Sequence, residues 1–302
     1  MKKIIFWAIM ALGLVACTPN KAPQVQPKAQ HMVFIGLDGW GSYSMHRALM
    51  PNVRKLMETG SYTLQKRTVL PSSSAVNWAS MFMGAGPELH GFTNWGTRVP
   101  ELPSRELNQH GIFPTIFQLL RDAQPEAEIG CLYEWEGIKY LVDTLALNHY
   151  AQVPEDMIYT DKLTRMAEEY IKEKQPNLVA IIYDNPDHVG HQAGHDTPAY
   201  YEELENLDKQ VGRIVRAVDE AGMMDETIFI VTSDHGGIGT NHGGKTMAEM
   251  ETPFIIAGKN IKPDGEFNQS MMQFDTGATM ATIFNLEQPQ VWIGRPMMQV
   301  FQ

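Results

Sequence analysis

Three stretches of the chain are continuously apolar rather than alternating: Met32-Val33-Phe34-Ile35-Gly36-Leu37, the core of Asn177–Tyr183, and Ile228-Phe229-Ile230-Val231 within Thr227–Thr232. Strands buried on both faces read this way, because neither row of side chains meets water. Between them, apolar side chains recur at three- and four-residue spacing, notably over Asp161 to Lys174 and over Pro198 to Ala221, the latter closed by Gly222. That spacing predicts helices. Strand and helix patterns in alternation predict an α/β fold, a mostly parallel central sheet with helices on both faces. No internal repeat is visible.

Ahead of the first strand the pattern changes. Met1-Lys2-Lys3 is followed by an apolar run from Ile4 to Val15, too short to span a membrane and of signal-peptide length. The run ends in Leu14-Val15-Ala16-Cys17, which resembles the lipobox of bacterial lipoproteins. The resemblance implies that Cys17 is acylated and becomes the first mature residue. Thr18 to Gln30, rich in Pro, Gln, Lys and Ala, reads as a flexible tether. The expected organisation is a signal peptide over 1–16, a lipidated cysteine and tether over 17–30, and a catalytic domain over 31–302. Its expected place is the cell envelope, anchored through Cys17 and facing periplasm or cell surface.

Charge narrows the partners. The 302-residue chain has a net charge of −11, and removal of Lys2 and Lys3 leaves 22 basic against 35 acidic side chains, or −13. No basic stripe exists to displace counterions from a nucleic-acid polymer. An acidic chain accepts a small anionic substrate only where bound cations or local dipoles reverse the field. Cys17 and Cys131 are the two cysteines. Cys131 lies in the strand-like Ala127–Tyr133 run and reads as a buried structural thiol.

On the predicted sheet, Asp38, Asp184, Asp187 and Asp234 all fall at or just beyond strand C-termini, where open α/β sheets bind ligands. Carboxylates gathered on one edge repel one another unless a cation sits between them. Four segments concentrate this chemistry: Gly36-Leu37-Asp38-Gly39, Pro71-Ser72-Ser73-Ser74-Ala75-Val76-Asn77-Trp78, Pro186-Asp187-His188-Val189-Gly190-His191, and Ser233-Asp234-His235-Gly236-Gly237 with the following Gly239 to Gly244. Asp and His without thiolate suit zinc, with manganese or iron as other occupants.

In their order and number these segments resemble the alkaline phosphatase superfamily, and within it the type I phosphodiesterase/nucleotide pyrophosphatase branch. The resemblance runs from Val33 to about Met297. It implies that Asp38, Ser74, Asp234 and His235 hold one zinc ion and that Asp187, His191 and His242 hold another. It further implies a hydrolase of phosphate esters in which Ser74 is transiently phosphorylated, acting on a small nucleotide or diester. Serines before a helical run, here Ala75 to Met83, are commonly caps; the family register selects Ser74 as nucleophile, with Ser73 the neighbouring alternative. Asn94 resembles the asparagine that donates to a phosphate oxygen in this branch. Phe274–Thr279 and Trp292–Pro296 look like the superfamily's closing helix and strand.

Other residues are weighed beside these. His188 sits inside the metal motif but is not read as a ligand. His195 and Lys245 read as exposed loop residues within reach of a substrate. Tyr133, Trp135 and Trp40 are aromatic enough to stack on a base, although most such side chains are core. Glu101–Gly111 and Glu134–Pro154 are long enough to supply a small cap. A phosphomonoesterase of the same fold wants extra positive charge on its substrate's phosphate, and Arg98 is the one arginine close after Asn94. A sulfatase wants an x-Pro-x-Arg continuation that Ala75-Val76-Asn77 lacks. A non-catalytic ligand-binding lipoprotein is the reading from a different class.

Overall fold

The computed structural model describes residues 27–154 and 161–302. The signal segment, Cys17 and all of the tether before Pro27 lie outside the described residues. Eight strands form one sheet in the order β4-β3-β5-β1-β6-β7-β2-β8. They are β1 (His31–Asp38), β2 (Gly60–Arg67), β3 (Ile129–Tyr133), β4 (His149–Gln152), β5 (Leu178–Pro186), β6 (Thr227–Thr232), β7 (Glu251–Gly258) and β8 (Gly265–Glu266). The five strands from β4 to β6 run parallel; β7 is antiparallel to both its neighbours, β6 and β2, and β8 runs parallel to β2. The mostly parallel sheet expected from the apolar runs is present.

Side-chain alternation explains why those runs are uninterrupted. On β1, Met32 and Phe34 enter one core and Val33, Ile35 and Leu37 the other. On β5, Leu178, Ala180 and Ile182 oppose Val179, Ile181 and Tyr183 in the same way. Every position is buried because both faces are covered, and each fully buried branched side chain contributes about 1.5–3 kcal/mol.

The helices divide between the faces. α2 (Ser74–Met83), α4 (Ile116–Ala123) and α9 (Asp275–Ile283) cover the first core, while α1 (Pro51–Thr59), α5 (Lys162–Lys174) and α7 (Pro198–Glu220) cover the second. Their starts are chemically marked. Thr197 Oγ1 accepts from the Tyr200 amide ahead of Pro198, and Thr115 Oγ1 accepts from the Gln118 amide. Short helices α3 (Pro87–His90), α6 (Asp187–Ala193) and α8 (Met247–Met250) lie in loops. None of the helices among the described residues is long and apolar enough to cross a membrane.

Glu134–Pro154, expected to be long enough for a small cap, is in part sheet: it carries β4, which pairs with β3 and extends the sheet at its edge. One expectation is corrected. Trp292–Pro296 is not a strand, because its amides face single acceptors rather than a partner strand. Ile293 N and Gly294 N both donate to Gly84 O, and Arg295 N donates to Asp275 Oδ1. The helix expected before it is α9. Glu101–Gly111 carries no helix or strand and is tied to the α3 region through Glu101 N–Gly91 O and Arg105 N–Leu89 O bonds.

Candidate metal centre

The parallel strands deliver Asp38 at the end of β1, Asp184 near the end of β5 and Asp234 two residues past β6 to one edge of the sheet. Asp187 and His191 follow on α6, one turn apart on a shared face. The loop after β6 supplies His235 and His242. Ser74 is the first residue of α2, with Ser73 in the extended N-cap position. All seven proposed ligands therefore converge, although they come from four separate parts of the chain.

A cavity of about 460 Å³ opens on this edge, lined by Ser74, Trp95, Trp135, Asp184, Asp187, His188, His191, Asn241 and His242. Two sets of side chains there could hold an ion. Asp187, His191 and His242 form one, and Asp38, Asp187 and His235 the other, each with ligand atoms within 4.8 Å of one another. Asp187 thus belongs to both sets, a bridging place that spacing along the chain does not reveal. Ser74 Oγ lies 3.2 Å from His235 Nε2, and that nitrogen is 3.4 Å from both Asp38 Oδ1 and Asp234 Oδ2.

The ring orientations are set by the backbone. His235 Nδ1 donates to Gly236 O at 2.8 Å, His191 Nδ1 to Thr240 O at 2.9 Å and His242 Nδ1 to Ser72 O at 3.1 Å. A carbonyl only accepts, so each Nδ1 carries a proton and each Nε2 faces inward, where a bound ion would take its lone pair. The carboxylates carry the matching deficit. Asp38 Oδ1 and Asp234 Oδ2 are buried with no hydrogen-bond partner, while Asp38 Oδ2 accepts from Trp78 Nε1 and Asp234 Oδ1 from Gly39 N. Each carboxylate is held by one oxygen and offers the other. Buried polar atoms are rarely left so, and a divalent cation fits this donor set.

The protonation pattern agrees. Burial, then the neighbouring Asp234, Asp187 and Asp184, raises Asp38 well above the carboxylate range. Burial and then Asp187 push Asp234 up to about 7. For Asp187 burial acts upward, but hydrogen bonds from His191 and His195 with the nearby His235 and His242 hold it well below the usual value. The Asp187 bond raises His191 to about 9, and burial lowers His242 to about 4. Protons here stand where cations would.

The remaining candidates separate clearly. Ser73 Oγ is buried without a partner and off the cavity wall, whereas Ser74 lines it. The Asn94–Trp95 turn docks on the start of α2, since the Ala75 amide donates to Trp95 O; one of the helix-start amides expected for phosphate is thereby engaged. Asn94 itself is exposed, its Oδ1 accepts from Trp95 N, and Trp95 rather than Asn94 lines the cavity. Trp135 lines the cavity as well, but Tyr133 and Trp40 are core. Lys245 is exposed and off the wall, and Arg98 pairs with Glu136 at 2.8 Å. Cys131 is buried and unbridged, as its strand-like setting predicts. His188 lines the cavity 3.8 Å from Asp184. His195, expected to be exposed, is buried against Asp187. Sequence reasoning overlooked Trp95, whose signal was its place directly after Asn94, and the buried Lys66 behind the site, which nothing in the pattern of β2 announces.

Comparison with known proteins fits this geometry. The sequence matches the type I phosphodiesterase/nucleotide pyrophosphatase family over residues 32–283. It is 21% identical over 234 residues to human ectonucleotide pyrophosphatase/phosphodiesterase family member 5, covering 76% of this chain and 49% of that protein. It is 23% identical to rat family member 1, covering 73% of this chain and 26% of that one. The chain thus spans half or less of these curated relatives. Among solved structures, an inactive form of murine family member 5 in complex with AMP superposes with a TM-score of 0.72 at 16% identity, covering 90% of this chain and 98% of that one. A mutant of the alkaline phosphatase PafA gives 0.73 at 12% identity, covering 94% and all of that chain. With the family matched across the sheet and both ligand sets, this chain belongs to the type I phosphodiesterase/nucleotide pyrophosphatase family.

Proposed function

We propose that the chain is a metal-dependent hydrolase of phosphodiesters or nucleotide pyrophosphates with Ser74 as nucleophile, and that its two ligand sets take two zinc ions. The observation that carries this is the hydroxyl of Ser74 on the cavity wall, 3.2 Å from His235 Nε2 and beside two carboxylate oxygens that no other group satisfies. Bound ions there would lower the serine pKa and neutralise charge on the attacking and leaving oxygens. Ser74 Oγ attacks phosphorus, the bond to the leaving oxygen breaks, and a phosphoserine forms. Water then cleaves it and returns the hydroxyl. Asn94, exposed at the turn docked on α2, would have to turn its amide inward to donate to a phosphate oxygen.

The wall composition supports a diester over a monoester. Among the described residues no lysine or arginine lines the cavity, and a doubly charged monoester phosphate calls for such a group. Trp95 and Trp135 offer flat faces for a base or aromatic leaving group. The AMP held by the murine relative supports a nucleotide as one such substrate.

Turnover of bis(p-nitrophenyl) phosphate and p-nitrophenyl phosphate by zinc-loaded protein tests the reading, with bound metal counted alongside. Diester preference, near two ions per chain, and loss of activity by at least about a thousandfold in Ser74→Ala but not Ser73→Ala are expected. Monoester preference would move the function to phosphatase. Retained activity in Ser74→Ala would reject the nucleophile.

We also infer that the mature protein is a lipoprotein of the cell envelope, on the strength of Leu14-Val15-Ala16-Cys17 and its basic, apolar lead. Cys17→Ser should shift the protein from the membrane to the soluble fraction, and unchanged fractionation would count against the anchor.

A further inference from the structure

His195 has no assigned part in this site. Its side chain is fully buried, and Nε2 lies 3.2 Å from Asp187 Oδ1. The main-chain amide of His195 donates to Gly239 O at 2.7 Å, and Nδ1 lies 3.1 Å from the same carbonyl. The ring is slotted between two glycines of the metal-binding segments. A Cβ on Gly190 would come within 2.4 Å of His195 Cε1, and one on Gly237 within 2.3 Å of Cδ2. Neither position tolerates a side chain while the ring is there, so both glycines are accounted for by one imidazole. The ring cannot swing aside without leaving the slot.

The consequence falls on Asp187. Its two oxygens have different surroundings: Oδ1 faces His195, while Oδ2 lies 3.0 Å from His191 Nε2 and 3.7 Å from His242 Nε2. We propose that His195 is a positioning residue for Asp187, donating from Nε2 to Oδ1 so that the carboxylate is held in the rotamer that presents Oδ2 to the ion-holding side chains. Since Asp187 belongs to both ligand sets, one hydrogen bond orients the ligand common to the two. The proposal rests on the metal-site reading given above. Groups that orient a ligand from behind typically govern metal affinity by about 10–100-fold.

The test is zinc affinity and stoichiometry of the full chain, stripped with chelator and titrated calorimetrically, with thermal unfolding recorded in parallel. A glutamine amide nitrogen reaches the place of imidazole Nε2, whereas an asparagine amide nitrogen reaches that of Nδ1. His195→Gln should bind zinc within a few-fold of the wild-type chain. His195→Asn, whose amide reaches toward Gly239 and not toward Asp187, should bind about 10–100-fold more weakly with similar melting. His195→Phe, which fills the slot without a donor, should match the asparagine variant. Equal affinity in the glutamine and asparagine variants overturns the proposal, since His195 would then only strap the two loops together. A wild-type chain that binds no ion overturns the proposal and the metal-site reading together, an outcome distinct from the first.

Discussion

Asp187 is the residue on which the site turns, because it sits in both ligand sets while His191 and His242 serve one and Asp38 and His235 the other. Removing its charge therefore has a different signature from removing an imidazole. Asp187→Asn is expected to empty both positions, and His242→Ala to leave close to one ion per chain. Metal content by mass spectrometry after desalting reads this directly; an asparagine variant that keeps one tightly held ion would show that Asp187 does not bridge. The resemblance to the family's motifs pointed to Asp187, His191, Asp234, His235 and His242 as candidate ligands, since each lies in a short motif. The membership of Asp187 in both sets was not readable there, because it depends on where the carboxylate lies after folding.

At the scale of an element, β2 carries the least expected group in the molecule. Lys66 is fully buried, its Nζ bonding Thr232 Oγ1 at 2.6 Å and Ser233 O at 2.8 Å. Burial lowers its pKa well below the lysine range, with the nearby Asp234 acting the other way. Both acceptors keep other bonds, Thr232 Oγ1 donating to Pro253 O and Ser233 O accepting from Gln273 Nε2. Lys66→Met should thus leave no orphan and raise stability near neutral pH by on the order of 1–3 kcal/mol. The sign follows from linkage. A lysine whose folded pKa is depressed costs stability below that pKa and up to the unfolded value, and the cost fades as pH rises toward about 10.4. The gain from methionine should shrink over that range in denaturant melts. A loss of stability near neutral pH would instead make Lys66 the counter-ion of the carboxylates behind which it sits.

For the whole molecule, the acidic edge couples folding to metal. Without metal, the folded chain keeps protons on Asp234, Glu134 and His191, whose values are raised to about 7, about 8 and about 9. Burial is the main cause for the two carboxyls and the Asp187 bond for the histidine. Groups raised in the folded state stabilise it below their unfolded pKa and cease to do so as pH climbs through the folded value. Lys66 opposes them. His242 and His235, lowered by burial, act mainly below about pH 6.5. Chelator-treated protein should therefore lose stability between about pH 6.5 and about pH 8, by on the order of 1–3 kcal/mol. That figure discounts His191, whose side chain is 44% exposed and screened. Zinc should flatten the decline by replacing the protons at Asp234 and His191. A melting temperature that rises across this interval in the metal-free protein would contradict the protonation pattern.

Periodicity was enough to specify the class of fold, because a strand covered on both faces cannot hide its apolar run and an amphipathic helix cannot hide its spacing. Motif order and residue type, read through the family resemblance, marked the candidate ligands, because Asp and His beside glycine can hold a cation where the backbone turns closely around it. What only tertiary structure decided was which parts of those segments meet. The sheet register brings Asp38, Asp184 and Asp234 to one edge; the slot between Gly190 and Gly237 turns an apparent surface histidine into a buried support. The edge pairing of β4 makes sheet out of part of Glu134–Pro154, and Trp292–Pro296 gives its amides to a helix end instead of a strand. These outcomes depend on contacts between residues far apart in the chain, each decided by what space and which hydrogen-bond partners remain once the core has closed, and no local pattern carries that information.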